Sequence, residues 1–218
     1  MPMITLHHYP SNASFAPHVL LREIGAPFQL QLVDRNQNAH KSAAYLRLNP
    51  NGLIPVLVDG DLLLYETAAI LLHLADTHPD AGLVPALGTA ERAHFYKWMF
   101  WASNTMQALL MHYYYPERMA AEGNTAGAAE VKAAAETRVG QCLVQIDEHL
   151  ASHGGPWFTG AGYSALDPLI FMLCRWTRGF ASRPARDYPH IGPYLQRMLA
   201  RPAVQAAIAE EKLPQPWV

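Results

Sequence analysis

Ser11, Asn12 and Ser14 crowd three hydrogen-bonding side chains into the segment Ser11-Asn12-Ala13-Ser14, directly before an apolar, helix-periodic stretch that starts at Phe15. Donors at the mouth of a helix add to its exposed N–H groups and to the positive end of its dipole, so this loop suits an anion. A serine in such a turn has a competing task, which is to cap its own backbone. A second junction lies at Glu66-Thr67, where Leu62-Leu63-Leu64-Tyr65 gives way to a helical pattern. A carboxylate ligand suits that place for the same electrostatic reason, although an isolated Glu-Thr pair also serves simply as a cap. Three other constellations carry less. His149 and His153, four apart, could share a helix face, but no third ligand accompanies them and no metal is expected. Ser14 and His18 are the types of a nucleophile and a base without an orienting acid. Cys142 and Cys174 form neither a CxxC pair nor a zinc pattern, which fits a reducing compartment.

Strands must deliver those junctions and helices must receive them. Residues 3–8 alternate apolar and polar and lead into the turn-rich segment 9–14, and the helix that follows stops at Gly25. A second strand is expected over 28–33, then a hairpin of Pro55-Val56-Leu57-Val58 and Leu62 to Tyr65 around Asp59-Gly60-Asp61, then a helix over 66–77. The order β-α-β-α-β-β-α is too short for a doubly wound dinucleotide fold and lacks GxGxxG. From residue 88 onward the periodicity is helical only, over 91–119, 126–153, 167–179, 189–200 and 202–210. Pro79, Gly82, Pro85 and Gly88 make a linker between a small α/β domain, 1–80, and a helical domain, 88–218.

Composition bounds the function from outside. The 218 residues are 50% hydrophobic and 16% charged with a net charge of -2, which disfavours a nucleic-acid or anionic-membrane surface. The N-terminal residues show no basic leader before an apolar run, and apolar stretches fall short of a membrane span, so a cytoplasmic protein is expected.

The run Leu48-Asn49-Pro50-Asn51-Gly52-Leu53-Ile54-Pro55-Val56-Leu57, followed by Leu64-Tyr65-Glu66-Thr67-Ala68-Ala69-Ile70, resembles the glutathione-binding half of cytosolic glutathione S-transferases. The likeness extends through Ser14-Phe15-Ala16-Pro17-His18 and Leu21-Arg22-Glu23, which are similar to the bacterial beta class. It reaches Arg197-Met198-Leu199-Ala200-Arg201-Pro202-Ala203-Val204 and so spans nearly the whole chain. The fold it implies is a thioredoxin-like α/β domain joined to an all-α C-terminal domain, in a homodimer.

The resemblance also implies roles. Pro55 would be the cis-proline that turns the Ile54 backbone outward to pair with a peptide-like ligand. Glu66 and Thr67 would hold the γ-glutamyl end of glutathione, and Lys41, with His40, its glycyl carboxylate. Asn104 would reach glutathione across a dimer interface. Met111, Tyr114 and Tyr115 would line the pocket for a hydrophobic electrophile. The stripe Trp98, Met99, Trp101, Met106 and Met111 is read as partly core and partly dimer face. The Ser164-Ala165-Leu166-Asp167 segment is a helix-capping box with no catalytic task.

At the reacting sulfur the chain departs from the beta class, because Ala13 stands where relatives carry a cysteine. A free thiol titrates near ~8.5, and holding it as thiolate at neutral pH takes about 2 to 3 kcal/mol, within reach of one hydroxyl and a helix N-terminus. Ser11 matches the activating serine of theta-, zeta- and delta-like relatives, Ser14 the serine beside the beta-class cysteine, and Asn12 offers an amide. The function implied is a glutathione transferase acting on an apolar electrophile. Two alternatives share the scaffold: a glutathione-dependent disulfide or peroxide reductase, which needs no protein cysteine, and a binding or regulatory protein without turnover.

Overall fold

The computed structural model describes residues 3–218. Its sheet is built from β1 (Ile4–His8), β2 (Phe28–Leu32), β3 (Val56–Asp59) and β4 (Leu62–Tyr65) in the order β2-β1-β3-β4. β1 runs parallel to β2 and antiparallel to β3, and β3 is antiparallel to β4. This is the four-stranded mixed sheet of the thioredoxin-like class. Alternation decides its faces: Ile4, Leu6 and His8 of β1 are buried while Thr5 and His7 are half-covered. Helix α1 (Phe15–Ile24) follows β1 and packs on it, with Phe15, Val19, Leu20 and Leu21 buried; in the sheet Leu6 pairs with Leu57 on one face, while Val56 packs with Val33, Tyr45 and Ile54 on the other. Gly25, at φ 74, closes α1 in the left-handed conformation that glycine adopts without a Cβ clash. A short helix α2 (Ala43–Leu46) precedes β3, and α3 (Thr67–Thr77) follows β4 with Ile70, Leu71 and Leu74 fully buried.

The remaining elements are α4 (Ala90–Trp101), α5 (Ala108–Tyr114), α6 (Thr125–His153), α7 (Leu166–Arg175), α8 (Ile191–Leu199) and α9 (Pro202–Glu210). A π-type turn over Ala102–Gln107 links α4 to α5, so the long helix expected over 91–119 ends at Tyr114 and is interrupted midway. The chain forms two compact units: the first runs to Pro85 and includes Leu199–Pro214, and the second comprises Ala86–Met198 and Gln215–Val218. Helix α9 packs on α1 and belongs to the first unit, whereas the sequence alone grouped it with the helical domain. Its own periodicity says that one face is apolar but not which element covers it.

Within the second unit every residue of α7 is buried. Its start is fixed by Asp167, whose carboxylate accepts from the Ser164 N–H at 2.8 Å, the Phe158 N–H at 2.8 Å and the Tyr194 hydroxyl at 3.2 Å. The acid reaches back as a capping box requires. The Ser164 hydroxyl accepts from the N–H of Leu166, at 3.3 Å, where the box pattern anticipates residue 167. Of the expected stripe, Trp98, Met99 and Met106 are buried within this unit with Phe95, Ala102, Leu109 and Leu110, Trp101 and Met111 are half-buried, and Phe100 beside them is 58% exposed. Among the described residues no helix is long and apolar enough to cross a membrane.

Candidate functional site

Strand register brings the predicted ligand-holding segments of the first unit to one end of the sheet. His7 pairs with Val56 and Val56 with Tyr65, so the end of β1, the start of β3 and the end of β4 lie side by side. The loop 9–14 leaves the first of these, Ile54-Pro55 enters the second, and Glu66-Thr67 leaves the third. The Ile54–Pro55 peptide is cis. Two side chains brace the approach to it: the Tyr45 hydroxyl and the Asn49 amide both donate to the Leu53 carbonyl, each at 2.8 Å. Lys41 Nζ donates to the Gly52 carbonyl at 3.1 Å and lies near that of Asn51 at 3.4 Å, beside the same turn. Gly52 is confined there, since it takes φ 59 and a Cβ would meet the His40 carbonyl oxygen at 2.9 Å.

Glu66 takes φ 76 and ψ 114, a backbone that a non-glycine residue holds only when its surroundings impose it. Its side chain is exposed, and its carbonyl accepts the Ile70 N–H as α3 begins. Thr67 is buried, and its hydroxyl makes a long contact of 3.5 Å to the Ala13 carbonyl, tying the start of α3 to the loop. The first-turn N–H groups of α3 therefore open on the same end of the sheet as the loop.

The two serines separate clearly. Ser14 is fully buried; its Oγ accepts from the Tyr9 N–H and donates to the Tyr9 carbonyl, both at 3.2 Å. Its hydroxyl closes the loop on itself. Ser11 is half-buried at φ 62, with its N–H donated to Oε2 of Glu211 at 2.9 Å. Asn12 turns its carbonyl oxygen back to the Ala13 N–H at 2.7 Å, and Ala13 itself is buried. Glu211 escaped sequence reasoning, because nothing in a helix over 202–210 announces a partner 200 residues earlier.

The other candidates belong to the second unit. Asn104 is exposed in the π-type turn, and Met111 is half-buried. The Tyr114 hydroxyl donates to the Trp176 carbonyl, and burial pushes that phenol up. Tyr115 lies beneath the Arg118 guanidinium, 4.0 Å from its ring centre. His149 uses Nε2 on the Phe158 carbonyl at 2.9 Å and packs on Trp98, so it serves the core. Burial pushes the Cys142 and Cys174 thiols up, which keeps both unreactive.

Two family models match the chain, the glutathione S-transferase N-terminal domain over residues 1–76 and the glutathione S-transferase C-terminal domain over residues 106–211. The chain is 31% identical over 214 residues to glutathione S-transferase GST-4.5 of Xanthomonas campestris, covering 95% of this chain and 98% of that one. It superposes on a glutathione transferase homologue from Sulfitobacter with bound glutathione at a TM-score of 0.88 and 28% identity, over 98% of this chain and 100% of the other. A bacterial beta-class glutathione S-transferase from Sphingomonas chungbukensis gives 0.82 and 31%, over 96% and 100%.

Proposed function

The chain belongs to the glutathione S-transferase family, and from that premise we propose that it binds reduced glutathione at the open end of the first unit's sheet and joins it through its sulfur to an apolar electrophile. The convergence of three segments there carries the reading. Ile54 offers its backbone to the cysteinyl part of the ligand, Glu66 and Thr67 meet the γ-glutamyl ammonium and carboxylate at the start of α3, and Lys41 meets the glycyl carboxylate. A tripeptide held at both ends leaves its thiol at the loop 9–14.

Ser11 is the residue assigned to the sulfur. Ser14 cannot offer its proton outward while it donates to the Tyr9 carbonyl. A hydroxyl hydrogen bond to the thiolate, added to the positive end of α1, favours the anion over the thiol. The thiol proton leaves to solvent, the sulfur lone pair forms the new S–C bond, and the electrophile's leaving group departs with the bonding pair, or a proton completes an addition. With Ala13 in the loop, no protein thiol intercepts the sulfur to form a mixed disulfide, which favours transfer over exchange through the protein.

Calorimetric titration with glutathione tests the binding half of this reading. The parent should bind, and Glu66→Ala combined with Thr67→Ala should weaken binding by more than tenfold, since each charge-assisted bond contributes about 1.5 to 3 kcal/mol. A double variant that keeps the parent's affinity would place the ligand elsewhere.

A further inference from the structure

A buried charged relay in the first unit connects the end of α9 to the loop 9–14. His18 of α1 has no exposed surface, yet its Nδ1 lies 2.9 Å from Oε1 of Glu211 and its Nε2 2.9 Å from Oε2 of Glu210. An imidazole always carries at least one N–H, so a ring that faces a carboxylate oxygen at each nitrogen donates to at least one of the two glutamates. Arg22 adds its guanidinium to Glu210, so that carboxylate binds both the His18 ring and an arginine. Phe28 of β2 packs on the His18 ring at 5.7 Å. His8 of β1 faces it at 6.5 Å, with burial holding the His8 imidazole below its usual range. The Glu211 side chain is fully buried as well, and the oxygen that His18 leaves over accepts the Ser11 N–H.

That last bond falls on a residue whose backbone needs holding. Ser11 sits at φ 62, which an L-residue keeps only under external constraint. We propose that Glu211 is a positioning residue for thiol activation: gripped by His18 through one oxygen, it holds the Ser11 backbone through the other and so fixes the point from which the Ser11 hydroxyl meets the sulfur. The inference rests on the reading that Ser11 contacts glutathione sulfur. Glu210 and Arg22 secure His18, His18 secures Glu211, and Glu211 secures the loop. The far end of α9 is held separately, by Arg201 bonded to Glu23 at 2.5 and 2.7 Å.

The test follows bound glutathione by its thiolate absorbance against pH, together with kcat and the calorimetric Kd. Glu211→Ala should move the thiolate titration to higher pH and lower kcat about tenfold at neutral pH, with Kd within about threefold of the parent, because the peptide ends are held elsewhere. Glu211→Gln, whose amide oxygen can still accept the Ser11 N–H, should recover most of both. Arg201→Ala, which loosens α9 at its far end, should leave the titration unmoved. A folded Glu211→Ala protein with the parent's titration and kcat overturns the inference, and so does an Arg201→Ala protein that shifts as far as Glu211→Ala. If Glu211→Ala does not fold, Glu211→Asp keeps the charge for His18 but draws the carboxylate back from Ser11; it should shift likewise, and a parent-like titration in it is equally fatal. Ser11→Ala is measured alongside. No shift in Ser11→Ala removes the sulfur assignment itself, whereas a shift there with none in the Glu211 variants removes only the role of Glu211.

Discussion

At the scale of single residues, one serine of the loop has its hydroxyl committed and the other has its backbone N–H held. Ser14 satisfies both the N–H and the carbonyl of Tyr9, so Ser14→Ala strands a buried N–H and should cost about 1 to 2 kcal/mol of stability in urea unfolding while leaving the thiolate titration near the parent's. Parent-like stability in that variant would show that the brace is unimportant. Sequence places Ser11 and Ser14 in the same turn with matching chemistry, and nothing local ranks them. What ranks them is the path of the backbone, which folds residue 14 back onto residue 9 and gives residue 11 a positive φ. Glu66 is the complementary case: its place between strand and helix is readable from the run Leu62 to Thr67, but its φ of 76 is set by β4 meeting α3 and leaves no mark in the residue type.

Among the elements, those with a strong period were readable and their partners were not. Alternation identifies β1, and the apolar run with Asp59-Gly60-Asp61 identifies the β3–β4 hairpin, because each buries one face. In the apolar stripe of α4 and α5 the second unit's own core covers Trp98, Met99 and Met106 and leaves Trp101 and Met111 half-buried. An apolar face must be covered, and periodicity does not say by what. Capping gives tests at this scale. Asp167→Ala strands the N–H donors of Phe158 and Ser164 in the core, while Tyr194 keeps the residue 167 carbonyl, and should destabilise the protein by about 2 to 4 kcal/mol, read as a lower urea midpoint. Asp147 on α6 holds the start of α8, accepting from the N–H groups of His190 and Ile191 at 2.8 and 2.9 Å. Burial alone would raise its carboxyl, but the His190 ring and these two N–H groups hold it below the usual range. A depressed carboxyl stabilises the fold above its unfolded pKa and loses that contribution as pH falls through the folded value. The stability gap between the parent and Asp147→Asn should therefore narrow below about pH 4, and a constant gap would contradict the capping role.

For the whole molecule, assembly and chemistry remain to be measured together. We expect a homodimer, with Phe100 as the exposed apolar side chain of α4 best suited to be covered by a twin subunit. Light scattering should give the mass of two chains, and Phe100→Glu should shift it toward one; a single-chain mass for the parent at every concentration would exclude the dimer and with it any reach of Asn104 across an interface. The proposed division of labour within one chain is more specific: the first unit, completed by α9, is the part assigned to binding and ionising glutathione. The ultraviolet absorbance of bound thiolate, titrated against pH in the parent and in Ser11→Ala, measures that ionisation. The parent should hold glutathione as thiolate at neutral pH, and Ser11→Ala should bind it with nearly the same affinity while its titration moves upward toward the free thiol near ~8.5. A parent that binds glutathione yet shows no thiolate at neutral pH would contradict activation altogether and leave a binding protein without a nucleophile.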